Sequence, residues 1–174
     1  MLVDKADSTG DRSEYPLVDS HVHWDQIPEE QMDEVIRRAK TAGVHIALSA
    51  ATGPDSCRRL LHYQQRYPDF LRIGFGLHPE YESTSDDVLD VLRLIEKHRG
   101  YICAVGEIGL PYYCLAEEER SRPPSGSEKD RLMPFLQMAA MMDLPVWLHA
   151  VHERTLPVLE MVLQAGCAVP CFIG

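Results

Sequence analysis

Along this chain, short apolar strand-like runs alternate strictly with stretches whose apolar residues recur at helical spacing, and this alternation narrows the fold more than any other feature. Parallel strands cannot be joined by a tight turn; they need a crossover of about a dozen residues or more, which a helix supplies. A strict βαβα order with short connections therefore predicts a parallel sheet covered by helices. Strands are expected from Leu17 onward and then over 44–50, 71–77, 101–107, 145–149 and 167–172. Helices are expected over 29–42, 54–67, 86–99, 128–143 and 156–165. The first of these carries Met32, Val35, Ile36 and Ala39 at helical spacing, with Gly43 where a helix commonly stops. The run opening at Leu17 and Val18 reads as a short buried strand. Residues 114–127, rich in Glu, Pro, Ser and Gly, read as a long irregular loop.

Three of the strand ends carry metal-ligand chemistry. His21 and His23 are two residues apart, and successive strand side chains alternate faces, so both imidazoles project from the same side. Glu107 follows an apolar run and lies between Gly106 and Gly109, which leaves room for close approach of a ligand. His149 closes the run Pro145-Val146-Trp147-Leu148. Each has a plainer alternative: a chance pair in a loop, a solvated or salt-bridged acid, a core histidine bonded to a backbone carbonyl. Three independent strand ends offering ligand types favour a shared divalent-metal site at the C-terminal face of the sheet, where active sites of such folds are built.

The 174 residues fit a single domain with a substantial core. A net charge of −10 argues against a basic nucleic-acid-binding surface, although a bound metal can supply local positive charge to a phosphate substrate. The five cysteines are odd in number and show no Cys-x-x-Cys spacing, which suits a reduced, cytoplasmic setting. Residues 1–14 are polar and acidic and read as a disordered N-terminal leader, with the folded domain over 15–174. No stretch has the length and apolarity of a membrane span.

Four motifs in register with four strand ends give the chain a more specific likeness: Asp19-Ser20-His21-Val22-His23, Gly76-Leu77-His78-Pro79, Val105-Gly106-Glu107-Ile108-Gly109-Leu110 and Pro145-Val146-Trp147-Leu148-His149. Together they resemble the TatD family of metal-dependent hydrolases, within the wider amidohydrolase-like group. The resemblance implies a (β/α)8 TIM-type barrel, incomplete here at about six βα units of eight. It also implies a deoxyribonuclease that cleaves phosphodiester bonds with one or two divalent ions, the ligand types not separating zinc, manganese and magnesium. On that likeness His21 and His23 are ligands of one metal, Glu107 bridges two, and His149 serves the second. Asp19 is then a partner that orients an imidazole. His78 is a substrate-side group near a phosphate, or simply a polar cap on the loop before Pro79.

The chain departs from the family pattern in three places. Pro111 stands where an aspartate usually follows the Glu-bearing motif, and Pro170 stands where a histidine ligand is expected at the end of strand six. The last two strands, with the aspartate that usually completes the metal site, do not follow. These departures lead to the expectation that the isolated chain hydrolyses DNA poorly. Two other readings stand beside the nuclease: a non-catalytic remnant or fragment, and a hydrolase of a small ester, lactone or amide. The loop 114–127 is the expected lid, and its acids Glu117, Glu118 and Glu119 would repel a polyanion unless metals or Arg120 and Arg122 offset them.

Overall fold

The computed structural model of the chain describes residues 16–168 and 170–173; the expected leader, 1–14, lies outside them. Six strands, β1 (Leu17–Val22), β2 (Val44–Ala50), β3 (Leu71–Phe75), β4 (Ile102–Gly109), β5 (Val146–His149) and β6 (Pro170–Ile173), form one sheet in the order β1-β2-β3-β4-β5-β6. Every neighbouring pair is parallel. This is the order that successive crossovers of one hand lay down; the parallel sheet is what the alternation predicts, and the incomplete barrel is what the family resemblance implies. All six strands therefore end at the same face, where the loops that follow β1, β3, β4 and β5 can meet.

The crossovers are α1 (Met32–Thr41), α2 (Pro54–Arg66), α3 (Ser85–Lys97), the short α4 (Glu117–Arg120) with α5 (Gly126–Met142), and α6 (Thr155–Ala165). Local chemistry sets their ends. Pro54 opens α2, where its missing N–H costs nothing. Thr84 with Asp87 caps α3, and Ser125 with Glu128 caps α5, each pair satisfying two orphan backbone donors reciprocally. Gly166, at φ +76°, ends α6 in the left-handed conformation that favours glycine. The predicted first helix is preceded by a single 3-10 turn at Glu29–Gln31 and becomes α-helical from Met32.

The main core fills the space between sheet and helices. Ile73, Phe75, Val105, Ile108 and Leu148 from the strands meet Leu60, Val91, Ile95, Phe135, Leu136 and Val158 from the helices, all fully or almost fully buried. Burying a side chain of this size stabilises the fold by about 1.5–3 kcal/mol. A smaller cluster of Ala50, Ala104 and Trp147 lies apart from it, with Leu48 and Cys103 packed alongside. Among the described residues no helix is long and apolar enough to cross a membrane.

The first strand is not buried as expected. Leu17 is 48% and Val18 54% exposed, because β1 is an outer strand with β2 as its neighbour on one side and none on the other among the described residues. Apolar sequence marks a strand but does not reveal how many neighbours it has.

Candidate metal centre

Glu107 is the focus of the site. Its side chain, 1% exposed, projects from β4 with its two oxygens turned toward different imidazoles. Oε2 lies 3.0 Å from His21 Nε2 and 3.5 Å from His23 Nε2, both from the end of β1. Oε1 lies 2.9 Å from His149 Nδ1 and 3.3 Å from His78 Nε2, at the end of β5 and just after β3. The structure thus brings all five sequence-predicted residues together. In the triplets His21, His23, Glu107 and His78, Glu107, His149, the ligand atoms lie within 4.8 Å of one another. Tetrahedral ligands at about 2.1 Å from an ion would stand about 3.4 Å apart, so small adjustments close either triplet around a cation.

The glycines beside Glu107 serve the packing of the strand rather than the approach of a ligand. A Cβ on Gly106 would come within 2.5 Å of Trp147 Cβ, and one on Gly109 would collide with the His149 carbonyl oxygen. Both positions let β5 lie close against β4, which brings His149 within reach of Glu107.

Hydrogen bonds to the far ring nitrogens decide what each histidine can offer. His23 Nδ1 lies 2.9 Å from the Ala50 carbonyl, which can only accept, so Nδ1 carries the proton and Nε2 presents a lone pair to the centre. His78 is the reverse: its Nδ1 accepts the Glu80 backbone N–H at 3.2 Å, so in the neutral ring Nε2 carries the proton and points it at Glu107. His78 is therefore built as a donor to an oxygen, although distance alone groups it with the ligands. Asp19 accepts the backbone N–H of His21 at 3.4 Å instead of orienting a ring.

A buried carboxylate must be compensated. Burial works against the charge of Glu107, yet hydrogen bonds from His149 and His78 outweigh it and hold its carboxyl well below the ordinary carboxylate range. Burial also opposes a charged His149, and the flanking carboxylates Glu107 and Glu80 outweigh it, raising its pKa above 6.5. A divalent ion at this centre would supply compensating positive charge to the same carboxylate.

Sequence reasoning missed Glu80. It follows Pro79 in the loop after β3, and its Oε1 lies 3.1 Å from His149 Nε2. An acid in a loop has no periodicity to mark it, and its place directly after His78-Pro79 was the one available hint. Around the centre stand Tyr81, whose ring lies 5.2 Å from that of His78, and Tyr113, 6.1 Å from that of His149.

The loop over 114–127 contains α4 and is tied down from within. Arg122 pairs with Glu128 at 3.1 Å and Glu119 at 3.7 Å, and Arg120 bonds the Leu115 and Tyr113 carbonyls. The two arginines expected to offset the acidic run are thus engaged, Arg122 by Glu119 and by Glu128 of α5, Arg120 by main-chain carbonyls of the loop. Pro170 opens β6 opposite Val146, whereas Ile173 is the residue paired with His149. Position 170 therefore lies at the start of the strand and not at its site end, about 10 Å along the strand from the level of His149.

A family profile described as TatD related DNase matches residues 18–172. An uncharacterized metal-dependent hydrolase of Haemophilus influenzae is 33% identical over 147 residues, covering 84% of this chain and 57% of that protein. A 3'-5' ssDNA/RNA exonuclease TatD of Erwinia tasmaniensis is 28% identical over 148 residues, 82% of this chain and 54% of its own length. The deoxyribonuclease TATDN3 of Homo sapiens is 27% identical over 164 residues, 86% and 57% respectively. The crystal structure of YJJV, a TatD homolog from Escherichia coli, superposes with a TM-score of 0.64 at 23% identity, covering 89% of this chain and 66% of that one, which shows a shared fold. The chain spans just over half the length of the curated relatives it matches, at 57%, 54% and 57%.

Proposed function

This chain belongs to the TatD family of metal-dependent hydrolases, and from that premise we propose that its Glu107 centre holds one or two divalent cations and hydrolyses phosphodiester bonds in DNA. The observation that carries the reading is a single buried carboxylate with each oxygen turned to a different imidazole group. His21 and His23 with Oε2 form one ligand set, and His149 Nδ1 with Oε1 begins a second. Bound there, a divalent ion acidifies a water and neutralises charge on the phosphate oxygens. An imidazole–carboxylate mixture suits zinc or manganese better than magnesium, which prefers oxygen ligands.

The chain's own groups do the rest. The hydrogen bonds from His149 and His78 favour the ionised form of Glu107, which is the form that ligates. His78, with Nε2–H directed into the centre, donates to a non-bridging phosphate oxygen once substrate displaces its contact with Glu107. The net charge of −10 and the internally paired Arg120 and Arg122 disfavour a long duplex and favour a single-stranded end. The exonuclease name of the Erwinia tasmaniensis relative agrees with such a substrate. The same observations keep a small ester, lactone or amide as a second reading.

Incubating the chain with zinc or manganese and end-labelled single-stranded and duplex DNA tests the proposal. Metal-dependent shortening of the single strand, lost in Glu107→Ala, is the expected result. Cleavage of an ester or lactone panel with the DNA untouched would replace the nuclease with the second reading.

A further inference from the structure

One carboxylate beside the centre is more fully engaged than its position in a loop requires. Glu80 Oε1 accepts the Tyr112 N–H at 2.7 Å and lies 3.1 Å from His149 Nε2, while Oε2 accepts the Cys114 N–H at 2.8 Å. Its own backbone N–H donates to His78 Nδ1 at 3.2 Å. Residue 80 thus touches both histidines of the His78–Glu107–His149 triplet, through its main chain on one and its side chain on the other.

An ionised carboxylate only accepts hydrogen bonds. The His149 nitrogen facing it, Nε2, must carry a proton; by the same rule Nδ1 donates to Glu107 Oε1 at 2.9 Å in the metal-free centre, and Nδ1 is the nitrogen on the centre's side that a cation can take once that proton leaves. The Tyr112 and Cys114 amides each donate to a different Glu80 oxygen, a pattern that a carboxylate with two acceptor oxygens satisfies. Those amides also hold the carboxylate in place, so it serves as a fixed acceptor rather than as another mobile ligand. Glu80 accordingly belongs to neither ligand triplet.

We propose that Glu80 is a positioning residue: it holds His149 with Nε2 protonated and Nδ1 aimed at the Glu107 centre, so that Nδ1 takes the cation, and it ties the loop at Tyr112 and Cys114 to that histidine. The inference rests on the metal reading above. A carboxylate behind a ligating imidazole fixes the ring's tautomer and direction, and removing such a partner typically costs about 10–100-fold in metal affinity or activity.

Glu80→Ala removes all three contacts. Glu80→Gln separates them, because its amide has one acceptor oxygen: placed at Oε1 it keeps Tyr112 and His149 but turns an NH2 toward the Cys114 N–H. The test is long-range proton–nitrogen NMR of zinc-loaded, histidine-labelled protein, with zinc affinity by calorimetry and amide hydrogen exchange at residues 112 and 114. The wild-type chain should show zinc on His149 Nδ1 and the proton on Nε2. Glu80→Ala should mix or reverse that pattern, weaken zinc about 10–100-fold at the half served by His149, and speed exchange at both amides. Glu80→Gln should keep the nitrogen pattern and speed exchange at residue 114, which a merely structural role would not predict. Zinc on Nε2 in the wild type, or a Glu80→Ala protein with the wild-type pattern and affinity, overturns the inference and leaves the metal reading standing. No zinc uptake by the wild type overturns both.

Discussion

The two halves of the centre are built differently. His78, Glu107 and His149 are buried and come from the loop after β3, from β4 and from the end of β5, strands with a neighbour on each side. His21 and His23 come from the outer strand β1, with side chains 32% and 25% exposed. The buried half is the more rigid, yet the hydrogen-bond directions leave it short of lone pairs: His78 faces inward as a donor, so only Glu107 and, once its Nδ1 proton leaves, His149 can ligate. The exposed half offers His21, His23 and Oε2 as a complete set of three. Preorganisation and ligand supply are therefore divided between the halves, and Glu107 joins them. On the proposed metal reading, burial alone would rank the halves in the opposite order to ligand supply.

The largest expected effect is at the joint. Glu107→Ala removes the carboxylate that serves both halves and should abolish tight binding of either ion. Metal ions contribute several kcal/mol to stabilising such transition states, so hydrolysis should fall by about 10³-fold or more. Metal content of the dialysed protein and turnover of a labelled oligonucleotide measure this. A variant that still retains one tight ion would show that the halves are independent sites.

Next come the two halves taken separately. A metal titration should show one tight ion and one weaker ion per chain, the tight one on the exposed half. His23→Ala should remove the tight step, whereas His149→Ala should leave it and weaken the other by about 100-fold, an effect at least as large as losing an orienting partner. Calorimetry with zinc reads both steps. If His149→Ala removed the tight step instead, rigidity would outweigh ligand number and the ranking of the halves would reverse.

What could be read from sequence follows the same division. The order of the strands and the convergence of His21, His23, Glu107 and His149 were legible, because each residue closes an apolar run and parallel strands end at one face. The exposure of β1 was not, since Leu17 and Val18 are as apolar as any core run and burial depends on neighbours the pattern does not specify. The inward proton of His78 was equally hidden: it depends on a backbone amide two residues away whose direction only the folded loop determines. Gly106 and Gly109 were visible as special positions, but whether they made room for a ligand or for β5 required the packed strands. Pro170 was visible as a departure, and its level on β6 was a matter of register.

On the proposed metal reading protons and a cation compete for the centre, and the metal-free protein should have a characteristic pH dependence. Glu107 is shifted down from 4.5, so its contribution to stability is present above that value and is lost as pH falls through the lower folded value. His149 is shifted up from 6.5, so its contribution is present below 6.5 and is lost as pH climbs through the higher folded value. Between about 4.5 and 6.5 both contributions are intact, and apo thermal stability should decline on either side of that window. Metal binding should run the other way and strengthen as pH rises past neutrality, because His149 must shed a proton to ligate. His149→Ala should remove the alkaline decline in a melting series while sparing the acid one. An alkaline limb that persists in that variant would assign it to another group.

The smallest effect tests whether β1 is as loosely held as its exposure suggests. Val18 is 54% exposed, so Val18→Thr keeps the β-branched shape, loses little burial and should change stability by no more than about 0.5 kcal/mol in denaturant unfolding. Ile108 on β4 is fully buried, and Ile108→Ala should cost about 2–5 kcal/mol through lost burial and the cavity left behind. The ratio between these two numbers is the quantity of interest, since it compares the strand carrying the complete ligand set with the strand carrying the bridging carboxylate. If Val18→Thr costs several kcal/mol, β1 is packed in solution against something that covers its outer face, and the exposed half of the centre would then be as rigid as the buried one. If the cost is negligible, metal binding itself should order β1. Adding zinc should then slow amide exchange in β1 more than in β4, because the ligands His21 and His23 fasten the outer strand to Glu107 when the ion binds.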